Sequence, residues 1–255
     1  MPSTDASADA ATAPGTDAGA DRAAGPDSEG QDTLDLRLPD ELVALLAGEA
    51  GSGEGDPADA VAPAGDDLLD HVGTWGPTAT PVGVFQLVPV RLRRDLPLVA
   101  RWMNDPAVAA FWELAGPETV TERHLRDQLA GDGRSVPCLG VLDGTPMSYW
   151  EIYRADLDPL ARHYPARPHD TGIHLLIGGV AGRGRGLGSA LLRAVADLVC
   201  EKRPSCGRVV AEPDLRNTPS VSAFLSAGFR FSAEVDLPGK RAALLVRDRG
   251  LRDVL

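Results

Sequence analysis

The stretch TGIHLLIGGVAGRGRGLGSALLRAVADLVCEKRP, residues 171–204, holds three signals in a row. TGIHLLIGG (171–179) is a short apolar run bounded by glycines and reads as a buried strand. Leu187, Ala190, Leu191, Ala194, Val195 and Leu198 recur at the i, i+3, i+4, i+7 spacing of a helix face, which Pro204 stops. Between them Gly184, Gly186 and Gly188 alternate with Arg183, Arg185 and Leu187. Glycine lets a main chain turn tightly and approach a ligand. Unpaired N–H groups at a helix start, the positive end of its dipole and two arginines together make a site for an anion, phosphate above all. Strand, glycine loop and helix is the order expected around a nucleotide-type cofactor.

Three phosphate loops compete for this stretch. A P-loop needs Gly-Lys-Ser/Thr, and no lysine stands near. A dinucleotide loop fails at its third glycine, which here is Leu187, and in place of an acidic strand end about 20 residues on the chain has Lys202, Arg203 and Pro204. What fits is Arg-x-x-Gly-x-Gly at Arg183, Gly186 and Gly188, which resembles the acyl-CoA pyrophosphate loop of the GNAT N-acyltransferases. A plain glycine-rich turn before an amphipathic helix is the alternative.

Charge divides the chain. Residues 1–82 carry 17 acidic and 2 basic side chains, while the remainder carries 20 and 23, so the overall charge of −12 belongs to the first part. Residues 1–32 are nearly all Ala, Asp, Gly, Pro, Ser and Thr and cannot bury enough apolar surface to offset ordering entropy. Residues 1–82 are therefore expected to be an acidic, largely disordered extension, with a segment at 34–48 suited to dock on the body as a strand-like piece and short helix. A solubilising tail without a partner is the simpler reading of it. The N-terminus is acidic and lacks an apolar signal-peptide core, and no run approaches the ~20 apolar residues of a membrane span. Cys138, Cys200 and Cys206 are odd in number and lack C-x-x-C spacing, which argues against a disulfide framework or a metal site and fits a reducing cytoplasm. No basic patch calls for nucleic acid.

Residues 83–255 read as one domain. VFQLVPVRL (84–92) is a first strand, and Asp95 can N-cap the helix after it. NDPAVAAFWE (104–113) is a second short helix and Thr121–Ala130 a third, capped by the Thr121 hydroxyl. VPCLGVL (136–142) and PMSYWEIYRA (146–155) form a hairpin about Asp143–Gly144. The polar, proline-rich loop DLDPLARHYPARPHD follows, long enough to suggest a function of its own. After the glycine helix come a strand at 207–212, a helix at 218–229 and a last hairpin about Pro238–Gly239. The fold class is mixed α/β: a GNAT-like, mostly antiparallel sheet with helices on both faces. Asn217 after a strand, then a helix and Ala-Gly-Phe at 227–229, resembles the second cofactor-contacting block of that superfamily.

Four stretches resemble a narrower group, the hydroxamate-siderophore acyltransferases that include N6-hydroxylysine acetyltransferases: WMNDPAVAAFWE (102–113), GTPMSYWEIYRADLDPLARHY (144–164), HDTGIHLLIG (169–178) and EPDLRN (212–217). The resemblance implies acyl transfer from coenzyme A, acetyl-CoA above all, to the N-hydroxylated amine of a lysine or diamine, without a metal. It implies catalytic roles for His174 and Asp214. It implies acyl-CoA contacts at Leu176, Gly178, Arg183, Gly184, Arg185, Gly186, Leu187, Gly188, Ser189 and Asn217, and acceptor contacts at Asn104, Trp112, Trp150, Glu151 and Tyr153. A siderophore synthetase and an amine mono-oxygenase are the partners such chemistry suggests.

The residues support these roles on their own terms. With period 2, His174 and Leu176 point to one face of the sheet and Ile173, Leu175 and Ile177 to the other. An imidazole titrates near neutral pH and suits removal of a proton from an attacking amine. A satisfied core histidine is the alternative for His174, as a helix cap is for Asp214. Tyr149, Glu151 and Tyr153 share a face opposite Trp150 and Ile152, where core packing competes with a substrate wall. An acyltransferase for an aminoglycoside or peptide amine, or a non-catalytic acyl-CoA sensor or docking module, would keep the glycine loop but not need the His174–Asp214 pair.

Overall fold

Asp143 and Gly144 both take positive φ, 45° and 79°, the left-handed pair that a two-residue hairpin turn needs to follow the twist of its strands. The turn joins β3 (Ser135–Leu142) to β4 (Thr145–Arg154), and Asp143 Oδ1 also accepts the Val84 N–H at 2.8 Å, fixing the turn to the preceding strand. The structure is a computed structural model that describes residues 69, 71–179 and 182–250. The expectations for the acidic extension up to residue 68, including the segment 34–48, lie outside the described residues.

Around that hairpin stand β1 (Thr78–Thr80), β2 (Gly83–Pro89), α1 (Leu92–Met103), α2 (Pro106–Trp112) and α3 (Glu118–Leu129) on its N-terminal side. On its C-terminal side stand β5 (Thr171–Ile177), α4 (Leu187–Lys202), β6 (Arg208–Ala211), α5 (Thr218–Ser226), β7 (Arg230–Leu237) and β8 (Lys240–Asp248). The eight strands form one sheet in the order β1-β2-β3-β4-β5-β6-β8-β7. Every neighbouring pair is antiparallel except β5–β6. Among the described residues no helix is long and apolar enough to cross a membrane.

Alternation along the strands sends apolar side chains to both faces. On one face Trp150, Ile152 and Ile173 pack with Leu191, Val195 and Val199 of α4 and Phe224 of α5. On the other, Leu139, Tyr149 and Leu176 pack with Val99 and Met103 of α1 and Leu125 of α3. A third cluster joins Leu160 and Tyr164 of the long loop to Val210, Leu244 and Val246. That loop is further held where Asp170, fully buried, accepts the Tyr164 hydroxyl at 3.0 Å and the Arg208 guanidinium. Leu69, Val72 and Trp75, ahead of residue 83, are buried in the first cluster, and β1 pairs with β2.

Two helix starts differ from the sequence expectation. Asp95 does not N-cap α1: the cap position is Arg91, and the Asp95 carboxylate reaches back from the first turn to accept the Arg91 N–H at 2.7 Å. Thr121 lies inside α3, which begins a turn earlier at Glu118, because Pro117 fixes the entry and leaves the Thr121 side chain facing the core.

Candidate functional site

β5 and β6 are hydrogen-bonded neighbours only at Thr171–Val209 and Gly172–Val210. Beyond that point β5 continues to Ile177 while β6 ends at Ala211, so the two strands part and leave a wedge in the sheet. His174 stands on β5 just inside the wedge. Directly across the other ladder its partner is Glu151 on β4. Glu212 follows the end of β6, two residues past Val210, as His174 is two past Gly172. In a parallel pair that places the two side chains beside each other.

The imidazole is held between these carboxylates. His174 Nδ1 lies 2.8 Å from Glu151 Oε2 and Nε2 lies 2.5 Å from Glu212 Oε1. Glu151 is 6% exposed, and its other oxygen, Oε1, receives His124 Nε2 at 2.7 Å, the Gln128 amide at 2.6 Å and the Tyr149 hydroxyl at 2.9 Å. Glu212 Oε2 accepts the Tyr153 hydroxyl at 2.7 Å, and Lys240 Nζ stands 3.6 Å from Oε1. Every carboxylate oxygen thus has a donor, which is what lets two acids remain charged inside a protein. Burial works against ionisation of Glu151, yet the hydrogen bonds from His124 and His174 prevail and hold its carboxyl well below the usual range. Burial also opposes a charge on His174, but the charge on Glu212 and the hydrogen bonds with both acids push it up to about 10. Glu212, against its own burial, is drawn to about 2, chiefly by His174. The resting site therefore contains an imidazolium, whereas the sequence reading expected a neutral base.

Two cavities meet at this ion cluster, and Glu151 and His174 line both. The first, about 280 Å³, lies toward α5 and is walled by Trp112, Ala211, Pro213, Asn217 and Phe224 among others. The second, about 260 Å³, lies toward the long loop and is walled by Gln128, Ser135, Tyr153, Leu157, Asp158 and Pro159, with Arg134 and Arg154.

Of the residues singled out from sequence, His174, Glu151, Trp112, Asp214 and Asn217 come together at the first cavity, and Tyr153 at the second. The Tyr153 ring stacks at a tilt on His174 with centroids 4.8 Å apart, and Trp112 meets His174 edge-on at 6.0 Å. Asp214, however, is not a hydrogen-bond partner of His174. Its carboxylate accepts the Arg216 backbone N–H at 2.7 Å and guanidinium at 2.6 Å, and Glu212 takes the position at the ring. Trp150 does not wall the site: strand alternation turns it to the opposite face, fully buried against Phe85, with its indole N–H on Ser148. Asn104 also lies elsewhere, because its amide clasps both backbone groups of Gly116 and the Ala100 carbonyl.

The glycine loop bends as its composition demands. Gly184 and Gly186 have φ of 70° and 75° with open space where a Cβ would stand. Gly186 caps α4 without a side chain, so the first N–H groups of the helix, at Leu187, Gly188 and Ser189, point out of the helix end. Arg183 is largely committed: Nε donates to the Ile177 carbonyl at 3.0 Å and Nη1 to Asp105 at 2.8 Å, while Nη2 is buried with no hydrogen-bond partner among the described residues. Arg185 lies on the exposed part of the loop. Gly178 and Leu176 belong to packing. A Cβ at 178 would come 2.1 Å from the Trp102 ring, and Leu176 is buried beside Tyr149. Asn217 N-caps α5 by accepting the Ser220 N–H at 3.2 Å.

Glu212, His124, Gln128 and Lys240 were not anticipated. In the sequence Glu212 was only the last residue of the expected strand 207–212 and the first of the EPDLRN stretch, and it becomes decisive only when β5 and β6 are known to be parallel and in register. His124 and Gln128 are one turn apart on α3 and share a face, a spacing with no meaning until Glu151 is opposite.

The chain is similar to known proteins in sequence and in fold. Residues 91–237 match the acetyltransferase (GNAT) domain family. The lysine N-acyltransferase MbtK of Mycolicibacterium paratuberculosis is 40% identical over 159 residues, 62% of this chain and 72% of that protein. The N(6)-hydroxylysine O-acetyltransferase of Escherichia coli is 37% identical over 155 residues, 61% of this chain and 49% of that one. The crystal structure of an uncharacterized protein from Bacillus halodurans superposes with a TM-score of 0.66 at 32% identity, covering 70% of this chain and 92% of the other.

Proposed function

The chain belongs to the acetyltransferase (GNAT) domain family, and from that premise we propose that it transfers an acyl group from acyl-CoA to the hydroxylated nitrogen of a lysine- or diamine-derived acceptor, forming a hydroxamate for a siderophore. The observation that carries this reading is His174, clamped by Glu151 and Glu212 where the two cavities meet. The relatives, a lysine N-acyltransferase and an N(6)-hydroxylysine O-acetyltransferase, supply the acceptor class.

In this reading the open start of α4, with Leu187, Gly188 and Ser189 and the basic loop before it, receives the pyrophosphate of coenzyme A. The thioester arm runs into the wedge between β5 and β6 toward Asn217 and His174. A hydroxylamine nitrogen is uncharged near neutral pH and attacks the thioester carbonyl, forming the N–C bond. The tetrahedral intermediate then expels the thiolate. His174, resting as imidazolium, gives its proton to that sulfur and regains one from the acylated nitrogen, so the amine proton ends on coenzyme A. A thiolate and an imidazolium of pKa about 10 are closely matched for such a transfer. One carboxylate has to leave the ring for the sulfur to reach it. Orientation of the ring falls to Glu151 and Glu212, and Asp214, paired with Arg216, forms cavity wall.

An amine mono-oxygenase would supply the acceptor and a siderophore synthetase would consume the hydroxamate, in a reducing cytoplasm, as steps of iron acquisition. The acidic residues 1–32 are assigned no part in turnover. The test is acetyl-CoA with N6-hydroxylysine or N-hydroxycadaverine: thiol release matched by a hydroxamate one acetyl group heavier. Thiol release with aminoglycosides but with neither hydroxylamine overturns the reading.

A further inference from the structure

The second cavity has one charged group left over. Arg134 pairs with Asp132 at 2.6 Å and Arg154 with Asp156 at 2.8 Å, and neither of those acids lines the cavity. Gln128 and Ser135 are occupied with Glu151, His124 and each other. Glu151 is matched by His174. Asp158 remains. Its Oδ1 accepts the Leu160 N–H at 2.9 Å at the start of the short 3-10 turn Pro159–Arg162, which fixes the carboxylate at the cavity mouth. Among the described residues no hydrogen bond or ion pair engages its Oδ2, although the side chain lies within the field of Glu151, Glu212 and His174. The same wall carries Leu157, Pro159 and the Tyr153 ring, which stacks on His174, a lining suited to methylene groups.

We infer that this cavity admits the acceptor, and that Asp158 holds a protonated amino group at the end of the acceptor remote from its reacting nitrogen. The inference rests on the proposed hydroxylamine acylation and adds a specificity-determining residue to it. The acceptor enters from the long-loop side, opposite the thioester in the wedge. Its methylene chain lies along Leu157, Pro159 and Tyr153, its hydroxylamine reaches His174, and its ammonium meets Oδ2 of Asp158 at the rim. An N-hydroxylated amine that also carries a free ammonium is accepted, and one with a bare alkyl end is not held.

The experiment compares N-hydroxycadaverine with N-hydroxypentylamine, which lacks only the distal amine, using the full chain and acetyl-CoA. A charge-assisted hydrogen bond is worth roughly 10–100-fold, so the wild type should favour N-hydroxycadaverine by about that factor in kcat/KM, mostly through KM. Asp158→Asn retains an oxygen for the Leu160 N–H and thus the turn. It should erase the preference by raising KM for N-hydroxycadaverine, leaving N-hydroxypentylamine and the KM for acetyl-CoA unchanged. Equal loss on both acceptors, or a preference untouched by Asp158→Asn, overturns the inference while the acylation reading stands. A wild type that acylates neither hydroxylamine overturns both.

Discussion

His174 and Glu151 are direct partners across the β4–β5 ladder, with 2.8 Å between Nδ1 and Oε2. The sheet itself therefore aims the acid at the ring, and no loop is needed to bring them together. Because Glu151 Oε1 is simultaneously filled by His124, Gln128 and Tyr149, the acid has no freedom to turn away. The imidazole is fixed in orientation and in charge by the same hydrogen bonds.

That coupling should be visible in the pH dependence of stability. His174 is raised to about 10 from an ordinary 6.5, so its contribution is complete below about pH 6.5 and is lost as pH climbs through 10. Glu212 is lowered to about 2 from 4.5, so its contribution is present above about pH 4.5 and is lost as pH falls through 2. The Tm difference between wild type and His174→Gln should be greatest between those limits and should shrink steadily from pH 6.5 to 10. A gap that stays constant across that range would mean the ring is neutral in the folded protein.

Gly172→Ala should damage the site without touching a charged group. A Cβ there would stand 2.0 Å from Tyr153 Cζ, so the ring that stacks on His174 and donates to Glu212 must move. Overpacking of this kind costs about 1–3 kcal/mol. Chemical denaturation should register that loss, and kcat should fall more than the stability change accounts for. Wild-type kcat in the folded variant would mean that Tyr153 is only packing.

The legible parts of this fold were local. The Asp143–Gly144 turn, the period-2 runs of β4 and β5 and the glycine loop before α4 each declare themselves within a dozen residues, and period 2 correctly separated Glu151 from Trp150. Glu212 was hidden because its role depends on a ladder between strands 38 residues apart. Asp214 was chosen in its place through a motif, and the motif carries no information about where Arg216 directs its guanidinium. Arg183 was misjudged for a similar reason: its partner Asp105 lies 78 residues away, and a basic residue in a glycine loop looks the same whether it faces a ligand or a helix cap.

Gly186→Asp should separate the cofactor loop from the fold. Position 186 has φ of 75° and no neighbour within 4 Å of a Cβ, so the substitution adds only the strain of a left-handed backbone, roughly 1 kcal/mol. It also sets a carboxylate at the start of α4, where the proposed pyrophosphate would sit. Calorimetry should give a Kd for coenzyme A weakened by more than about tenfold, the worth of ~1.4 kcal/mol of lost attraction. An unchanged Kd in the folded variant would remove the loop from the cofactor site.

Glu212→Gln and Asp214→Asn discriminate between the two acids that stand near the wedge. Glu212 touches His174 Nε2 at 2.5 Å, whereas Asp214 is spent on Arg216. Replacing Glu212 removes the largest influence that raises the imidazole pKa, so the titration midpoint of the ring, read by nitrogen NMR, should move down from about 10. With less of the ring protonated at working pH, less acid is available for the departing sulfur, and single-turnover rates should fall by a factor that grows as the pH is raised above the new midpoint. The alkaline limb of the rate profile should shift to lower pH in step with the NMR midpoint. Asp214→Asn leaves both ring contacts in place and should change neither the midpoint nor the position of that limb. If Asp214→Asn instead lowers the rate as much as His174→Gln while Glu212→Gln does not, the ring is oriented by Asp214 during turnover and the Glu212 contact belongs only to the resting protein.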